Sequence, residues 1–284
     1  METNIDPKWG EWSPLHDPYV LAHFKARPTD VLITTAPKAG TTWMQQILHQ
    51  LKTGGDDSFT YIDQVVPWLE LPRSNNSWQQ MLEYYEQLPD PRVFKTHCTY
   101  AQTPGVDTAR IILSSRDPRD CCVSFYHHVM SMTDTALQNA NMTRPQSFDE
   151  YFESWMAFGA WYRNVQSWWP HINNTNLLWL RYEDMVQDLK TSLRQIESFL
   201  DWKLDAVHLE KVIEYCSFPW MKQHTEKFSA RSETGESLFK PGGFIRKGKV
   251  GDHKSLMSPK QEQRILDRAE ETLPADCLRF IGVK

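Results

Sequence analysis

The sequence predicts an α/β fold: a single domain with a central parallel sheet flanked by helices. Three passages carry this prediction, because each runs from a short apolar stretch through a polar break into a segment with helix-like character. Short buried strands that alternate with helices are typical of βαβ units, which build parallel sheets. We find no convincing domain boundary, so residues 1–284 are expected to form one domain.

The elements follow in order along the chain. The predicted strands cover residues 31–35, 92–97, 109–114 and 176–180. The predicted helices cover residues 41–51, 78–86, 118–130, 148–168, 183–200, 206–216 and 259–272. Pro118 suits the first position of its helix, where its missing N–H costs nothing.

Residues 222–251 differ from the rest of the chain. They are polar and rich in glycine, serine and charge, with little periodicity. A structureless stretch of this length in a compact domain is usually a functional loop or lid, or else disordered. A basic cluster near its end favours a mobile lid over a linker. The cluster contains Lys240, Arg246, Lys247, Lys249 and Lys254.

Composition limits the function classes. The net charge of −5 argues against general binding of nucleic acid or anionic membranes, which needs a basic surface. The five cysteines are odd in number and lack a C-x-x-C spacing, so we expect no disulfide framework and no zinc site. The polar N-terminus and the absence of a long apolar run complete the expectation of a cytoplasmic protein.

The turn after the first strand has the composition of a phosphate cradle. It contains Pro37, Lys38, Ala39, Gly40, Thr41, Thr42 and Trp43 and opens a helix. Helix N-termini present free N–H groups to anions, and a glycine lets a phosphate approach the backbone closely. The lysine precedes the glycine, so this is not the common ATPase loop. An ordinary strand–helix turn with a capping threonine is the alternative.

Three further groups of polar residues are candidates for chemistry. Lys95 and His97 share one face of a strand end, and the nearby cation favours a neutral histidine that can accept a proton. Arg116 at another strand end and Ser124 in the next helix can jointly hold a phosphate. A run of glycines and cations includes Arg246, Lys247 and Gly248. Each of these has a plainer alternative, namely packing or a solvated charged face.

Together and in this order, the four motifs resemble those of the cytosolic sulfotransferase family, over about residues 31–254. This family uses 3′-phosphoadenosine 5′-phosphosulfate (PAPS) as donor and releases adenosine 3′,5′-bisphosphate (PAP). The resemblance implies that the cradle, Lys38 to Trp43, holds the 5′-phosphosulfate. It also implies that His97 is the general base, with Lys38 and Lys95 as partners of the transferred group. No metal is expected.

The resemblance extends to the nucleotide. It implies that the 3′-phosphate is held by Arg116, Ser124, Arg246, Lys247 and Gly248. It further implies that Trp43 and Phe218 flank the adenine and that Tyr182 contacts the nucleotide. The chain departs from the family pattern at three positions: Ala39 replaces the usual serine, Cys216 a threonine and His253 a tryptophan.

The predicted reaction is transfer of a sulfuryl group from PAPS to a hydroxyl or amine of a small molecule. The alternatives are a P-loop-type nucleotide kinase and a non-catalytic PAP-binding scaffold. Abundant aromatic residues favour a flat or apolar acceptor. The candidates for its pocket are Trp68, Tyr84, Tyr85, Phe125, Tyr126, Trp155, Phe158, Trp161, Trp168 and Trp169. We interpret His127 and His128 as structural or pocket-lining.

A homodimer is possible, but the usual dimer segment of the family is poorly matched. That segment has the pattern K-x-x-x-T-V-x-x-x-E, and residues 254–263 keep only its lysine. Pro259 also removes a backbone donor from this stretch.

Overall fold

A four-stranded parallel sheet forms the centre of the computed structural model, which describes residues 5–73, 75–232 and 235–283. The strands are β1 (Val31–Ile33), β2 (Val93–Lys95), β3 (Arg110–Ser115) and β4 (Leu177–Arg181), in the spatial order β2-β1-β3-β4. Val31 pairs with Val93 on one side and with Arg110 on the other. The predicted α/β class with a parallel sheet is confirmed.

Fourteen α-helices surround the sheet in the described part of the chain. They are α1 (Pro18–His23), α2 (Thr41–Thr53), α3 (Ile62–Val65), α4 (Trp78–Glu86), α5 (Pro118–Ser131), α6 (Asp134–Asn139), α7 (Phe148–Phe158), α8 (Ala160–Trp168), α9 (Tyr182–Gln187), α10 (Leu189–Leu200), α11 (Ala206–Tyr215), α12 (Phe218–Gln223), α13 (Pro259–Thr272) and α14 (Ala275–Phe280). None of these helices is long and apolar enough to cross a lipid bilayer.

Both faces of the sheet are buried, so side chains of each strand alternate between two cores. In β1, Val31 and Ile33 pack on one face with the apolar residues of α2, α10 and α11. Leu32 lies on the other face, in the larger core that includes residues of α1, α5, α7, α8, α13 and α14. Helix layers on both faces leave the carboxyl edge of the sheet as the open edge.

Two predicted helices are each divided in two. The prediction over 148–168 is wrong at Gly159, which takes φ 59° and separates α7 from α8. The prediction over 183–200 is wrong at Asp188, whose side chain accepts a hydrogen bond from the Thr191 N–H and caps α10. Glycine tolerates the left-handed conformation in which α7 ends. The aspartate side chain satisfies a free N–H group at the start of α10.

The strands next to the predicted site are shorter than expected. β1 ends at Ile33 and β2 at Lys95, although the predictions continued to residues 35 and 97. The Thr96 N–H still donates to the Ile33 carbonyl at 2.7 Å, so the two chains stay paired beyond the regular strands. The chain then turns, which brings His97 to the open edge.

Candidate active site

Residues that follow all four strands line one cavity of about 2350 Å³. Parallel strands end at the same edge of a sheet, and ligands bind there in α/β proteins. Ala39 is fully buried and is the one predicted site residue outside the lining. The predicted residues that line the cavity are Lys38, Gly40, Thr41, Thr42, Trp43, Lys95, His97, Arg116, Ser124, Tyr182, Phe218, Arg246, Lys247 and Gly248.

The turn between β1 and α2 has the backbone of an anion cradle. Lys38 adopts φ 67°, a region that residues with a Cβ rarely occupy and that is often found at functional sites. Gly40 is the N-cap of α2 and no side chain caps this helix. The N–H groups of Thr41, Thr42 and Trp43 therefore point out of the first turn without intrahelical partners. A phosphate is the kind of ligand that such a helix start binds.

Glycine is required at position 40 for two reasons. Its φ of 102° lies in the left-handed region, and a Cβ there would be 3.0 Å from a Tyr182 ring carbon. Hydrogen bonds from neighbouring residues also hold the turn. The Ser114 hydroxyl donates to the Ala39 carbonyl at 2.6 Å, and the Thr35 and Thr41 hydroxyls are also 2.6 Å apart. The cradle is thus held by the sheet itself.

His97 is arranged as a proton acceptor. Its Nδ1–H donates to the Thr35 carbonyl at 2.8 Å, which leaves a lone pair on Nε2. Burial lowers its pKa to about 4, against the hydrogen bond to Thr35, and the charges of Lys95 and Lys38 lower it further. The ring is therefore neutral at pH 7. A buried carboxylate, Glu70, fixes the backbone by accepting from the His97 N–H at 3.2 Å.

The cavity also concentrates positive charge near the cradle. Burial lowers the pKa of Lys38 to about 7, and the charges of Arg116, Lys95 and Arg246 add to the effect. The Lys95 ammonium lies 4.9 Å from the Trp68 ring centroid and 3.5 Å from an Asp63 oxygen. Clustered cations that repel one another bind an anion strongly once it arrives.

Arg116 connects the cradle to residues 235–258, which precede α13 and are called the C-terminal loop below. Its guanidinium donates to the Lys249 carbonyl at 3.0 Å and lies 4.6 Å from the centroid of the Tyr182 ring. Its Nε has no hydrogen-bond partner although it is buried. Ser124, eight residues further on, faces the same cavity from α5. The two therefore occupy positions from which they can reach one ligand.

Two cations of the C-terminal loop share one carboxylate. Asp252 accepts hydrogen bonds from Arg246 and from Lys247, the latter at 2.8 Å. Asp120 of α5 fixes the following residues, since it accepts from the N–H groups of Gly251 and His253. His253 is buried, and its Nδ1 lies 2.8 Å from Asp120. The histidine thus anchors the loop to α5.

Aromatic rings line the cavity beside the cradle and the C-terminal loop. The Trp43 Nε1–H donates to the Cys216 carbonyl at 2.8 Å, and its ring lies edge-on to Tyr182. Cys216 itself is buried in the core. Phe218 is partly exposed and lies against Gly248, where a Cβ would come within 2.5 Å of its ring. Trp43 and Phe218 thus both offer ring faces or edges to the cavity.

Half of the aromatic residues predicted for the acceptor pocket lie elsewhere. Trp68, Tyr84, Phe125, Trp155 and Phe158 line the cavity. The other five do not line it, because they are taken up by core packing: Tyr85, Tyr126, Trp161, Trp168 and Trp169. Six aromatic residues that the sequence did not single out line it as well: Trp12, Tyr61, Tyr151, Phe228, Phe239 and Phe244. Their pattern of apolar spacing gave no signal for this role.

Sequence reasoning missed the carboxylates that organise the site. Glu70 supports His97, Asp120 holds the C-terminal loop, and Asp252 pairs its cations. His16, Glu70 and Cys98 also each place one potential metal-ligand atom within 4.8 Å of the others, the only such group in the described residues. The expectation that no metal is needed stays a prediction.

Residues 28–275 match the family model described as "Sulfotransferase domain". Human sulfotransferase 1C2 is 30% identical over 256 residues, with 85% of this chain and 82% of the relative covered. Mouse sulfotransferase 1B1 is 31% identical over 256 residues, with 86% and 82% covered.

Solved structures agree with this match. The crystal structure of mouse sulfotransferase SULT7A1 complexed with PAP has a TM-score of 0.71 and 25% identity, and covers 91% of this chain and 89% of its own. A retinol dehydratase structure in complex with androsterone and PAP shares the fold, with a TM-score of 0.69 and 23% identity over 87% and 82% of the two chains. The chain that carries this cradle, this histidine and these cations at one sheet edge belongs to the sulfotransferase family.

Proposed function

We propose that this sulfotransferase moves the sulfuryl group of PAPS to a hydroxyl or amine of a small aromatic or otherwise apolar acceptor. One observation carries the proposal: a neutral histidine with a free Nε2 lies in the same cavity as an anion cradle and several cations, of which Arg116 is buried. Sulfuryl transfer needs these parts and little else, because positioning and charge stabilisation do most of the work.

Each part has a role in the proposed reaction. The Nε2 of His97 takes the proton of the acceptor as its oxygen or nitrogen bonds to sulfur. The bond between sulfur and the bridging oxygen breaks, and the leaving phosphate keeps that electron pair. Lys38, Lys95 and the N–H groups that start α2 stabilise the charge on the transferred group and the leaving phosphate.

The remaining predicted residues are proposed to bind the nucleotide. Arg116, Ser124 and the loop residues Arg246 to Gly248 hold the 3′-phosphate, and Tyr182 contacts the nucleotide. Trp43 and Phe218 flank the adenine, a contact that suits aromatic faces. Residues 222–251 are proposed to cover the donor as a lid of the single domain. In the described part of this segment, Phe228 and Phe239 are buried.

The acceptor is proposed to bind near His97. Trp68 lies edge-on to the His97 ring with centroids 5.1 Å apart, and Phe125, Tyr151 and Phe239 line the same cavity. These rings favour phenols and other apolar alcohols over polymers. We propose a cytoplasmic enzyme, which the odd number of cysteines supports because disulfide frameworks need pairs.

Calorimetry with PAP and ATP in the absence of metal tests the donor. Micromolar or tighter binding of PAP, with ATP at least about tenfold weaker, supports the proposal. Tight ATP binding that depends on Mg²⁺ would instead favour a kinase. PAP binding without turnover of PAPS on a panel of phenols, alcohols, amines and sugars would favour a scaffold. Turnover of sugars alone would exclude the apolar acceptor.

A further inference from the structure

A second histidine lies beside Lys38. His128 of α5 lines the cavity, and its Nδ1 is 3.2 Å from the Lys38 Nζ. The imidazole packs against Phe239 and Phe244, with ring centroids 4.6 Å and 5.6 Å away. The Lys38 Nζ also lies 5.7 Å from the Phe244 centroid. Helix α5 and the loop before Gly248 therefore enclose this pair.

The hydrogen bond determines the tautomer of His128. A lysine ammonium only donates, so the Nδ1 of His128 must accept. A neutral ring that accepts at Nδ1 carries its proton on Nε2. His97 has the opposite arrangement, because its Nδ1 donates to Thr35 and its Nε2 accepts. The two histidines of the cavity thus offer opposite nitrogens.

The surroundings keep His128 neutral. Burial lowers the pKa of His128 well below its ordinary value, and the charges of Lys38 and Lys95 lower it further. His97 also lowers this pKa. Lys38 is itself poised, with a pKa of about 7. The ionisable groups that face it come from two strand ends, α5 and the C-terminal loop. They are Arg116, Lys95, His97, Cys121, His128 and Arg246.

We propose that His128 is a positioning residue for Lys38: its Nδ1 accepts a hydrogen bond that holds the lysine in its charged form beside the cradle. The inference rests on the proposed function, in which Lys38 stabilises the transferred group. Three of the ionisable groups around Lys38 are cations that oppose its charge, whereas the neutral imidazole of His128 lies within hydrogen-bond distance of its ammonium. Without such an acceptor, the lysine loses its proton more readily.

Two variants separate the hydrogen bond from the packing of the ring. His128→Phe keeps an aromatic ring among Phe239 and Phe244 and removes the acceptor. His128→Asn carries an amide oxygen close to the position of Nδ1. We expect His128→Phe to lower kcat/KM for PAPS about tenfold, the size expected for one hydrogen bond to a charged group, and His128→Asn to retain most of it.

The pH profile distinguishes a positioning role from a structural one. The value of kcat/KM reports ionisations of the free enzyme, and the charged form of Lys38 is lost as pH rises through its pKa. A lysine without its acceptor has a lower pKa. The fall of kcat/KM at high pH therefore begins at lower pH in His128→Phe and stays near the parent position in His128→Asn. A parent-like profile in His128→Phe would overturn the proposal.

The control is His23→Phe on α1. The His23 ring is exposed and stacks on Trp78 with centroids 4.4 Å apart, so the phenylalanine keeps that contact. We expect a parent-like pH profile for this variant. A similar shift in both variants would mean that loss of a histidine, rather than loss of the hydrogen bond, changes the profile, and this would also count against the proposal.

A measurement on the unaltered protein needs no variant to fold. Side-chain ¹⁵N spectra of the ligand-free enzyme distinguish the two neutral tautomers of each histidine. We expect His128 as the Nε2–H form and His97 as the Nδ1–H form; an Nδ1–H form of His128 would refute the pair. Failure of the parent to bind PAP would refute the proposed function, whereas the spectra would still decide whether the Lys38–His128 bond exists.

Discussion

The two halves of the donor site are built in different ways. The strand-end half, which contains the cradle and His97, is held by hydrogen bonds to residues in and just after the strands. His97 donates to the Thr35 carbonyl, and the Ala39 carbonyl accepts from Ser114. The loop half, which contains Arg246 to Gly248, is held by side chains, because Asp252 pairs its cations and Asp120 binds its backbone.

Because the two halves are held differently, we expect them to contribute differently to catalysis and to nucleotide affinity. The strand-end half keeps its geometry without a ligand, since the sheet fixes it. In the loop half, Asp252 accepts hydrogen bonds from two of the cations, so a phosphate must take donors that Asp252 now holds. We therefore expect changes in the first half to act mainly on kcat and changes in the second half to act mainly on the dissociation constant of PAP.

His97→Ala is the largest test of the strand-end half. Loss of a general base lowers kcat by about 10²- to 10⁴-fold. The PAP dissociation constant changes by less than about threefold, because the cradle does not depend on the imidazole. Steady-state assays at saturating PAPS and calorimetry with PAP measure the two effects. A variant with parent kcat would show that another group takes the proton.

Arg246→Ala is the corresponding test of the loop half. Removal of one charge-assisted hydrogen bond weakens PAP binding about 10- to 100-fold. The value of kcat at saturating PAPS stays within about threefold. Lys240→Ala is the matched control, because Lys240 is an exposed cation of the same segment that does not line the cavity. Equal losses of PAP affinity in both variants would mean that general electrostatic attraction, rather than a specific contact of Arg246, holds the nucleotide.

Gly248→Ala tests the contact between the loop and the adenine end. Its Cβ would lie 2.5 Å from the Phe218 ring, so we expect the ring to move and PAP to bind about fivefold to tenfold more weakly. Gly242→Ala is the control, since Gly242 has a similar φ of 70° and open space around a Cβ. Both variants lose about 1 kcal/mol of stability from backbone strain. Equal PAP affinity in the two would show that the Phe218 contact does not matter.

Asp120→Asn has the smallest expected effect, and it acts on stability. Despite burial, hydrogen bonds from His253 and Gly251 and the charge of Arg116 lower the pKa of Asp120 to about 2. A carboxylate with a depressed pKa stabilises the fold fully above its unfolded pKa of about 4, and this contribution is lost as pH falls towards 2.

The melting temperature of parent and Asp120→Asn measures this contribution across pH. We expect a gap of a few degrees, equivalent to about 1 kcal/mol, at pH 6, which shrinks between about pH 4 and pH 2. A gap that is constant with pH would mean that Asp120 is not ionised in the folded enzyme. We expect PAP affinity to change by about threefold or less, because Asp120 does not line the cavity and asparagine keeps an amide oxygen that can accept a hydrogen bond from the loop backbone.

The sequence predicts those parts of the fold that local patterns determine. The strand–turn–helix units lie where periodicity placed them, and Pro259–Thr272 matches its prediction at both ends. The breaks at Gly159 and Asp188 were missed, although both residues are known helix terminators. The apolar residues on both sides of each break keep the same helical spacing, so the spacing gives no sign of the break.

The site was predictable where a motif is contiguous. Lys38, Gly40 and Thr42 lie together because they are neighbours in the chain. Pairs that form across the fold gave no signal. His128 is 90 residues from Lys38, and Asp120 is 133 from His253. The aromatic residues illustrate the same limit, since composition predicts an aromatic pocket but cannot tell a lining ring such as Phe125 from a core ring such as Trp161.

Asp252 is a built-in counter-anion at the end of the cavity where we propose that the 3′-phosphate binds. Arg246 and Lys247 share the single carboxylate of Asp252, so in the proposed assignment binding at this end is partly an anion exchange, in which a phosphate takes donors that the carboxylate releases. The carboxylate also competes with the spent nucleotide on each turnover, which lowers affinity and hastens its departure. Because few dissolved ions are displaced in such an exchange, the affinity for PAP varies less steeply with ionic strength than the number of cations around the site suggests.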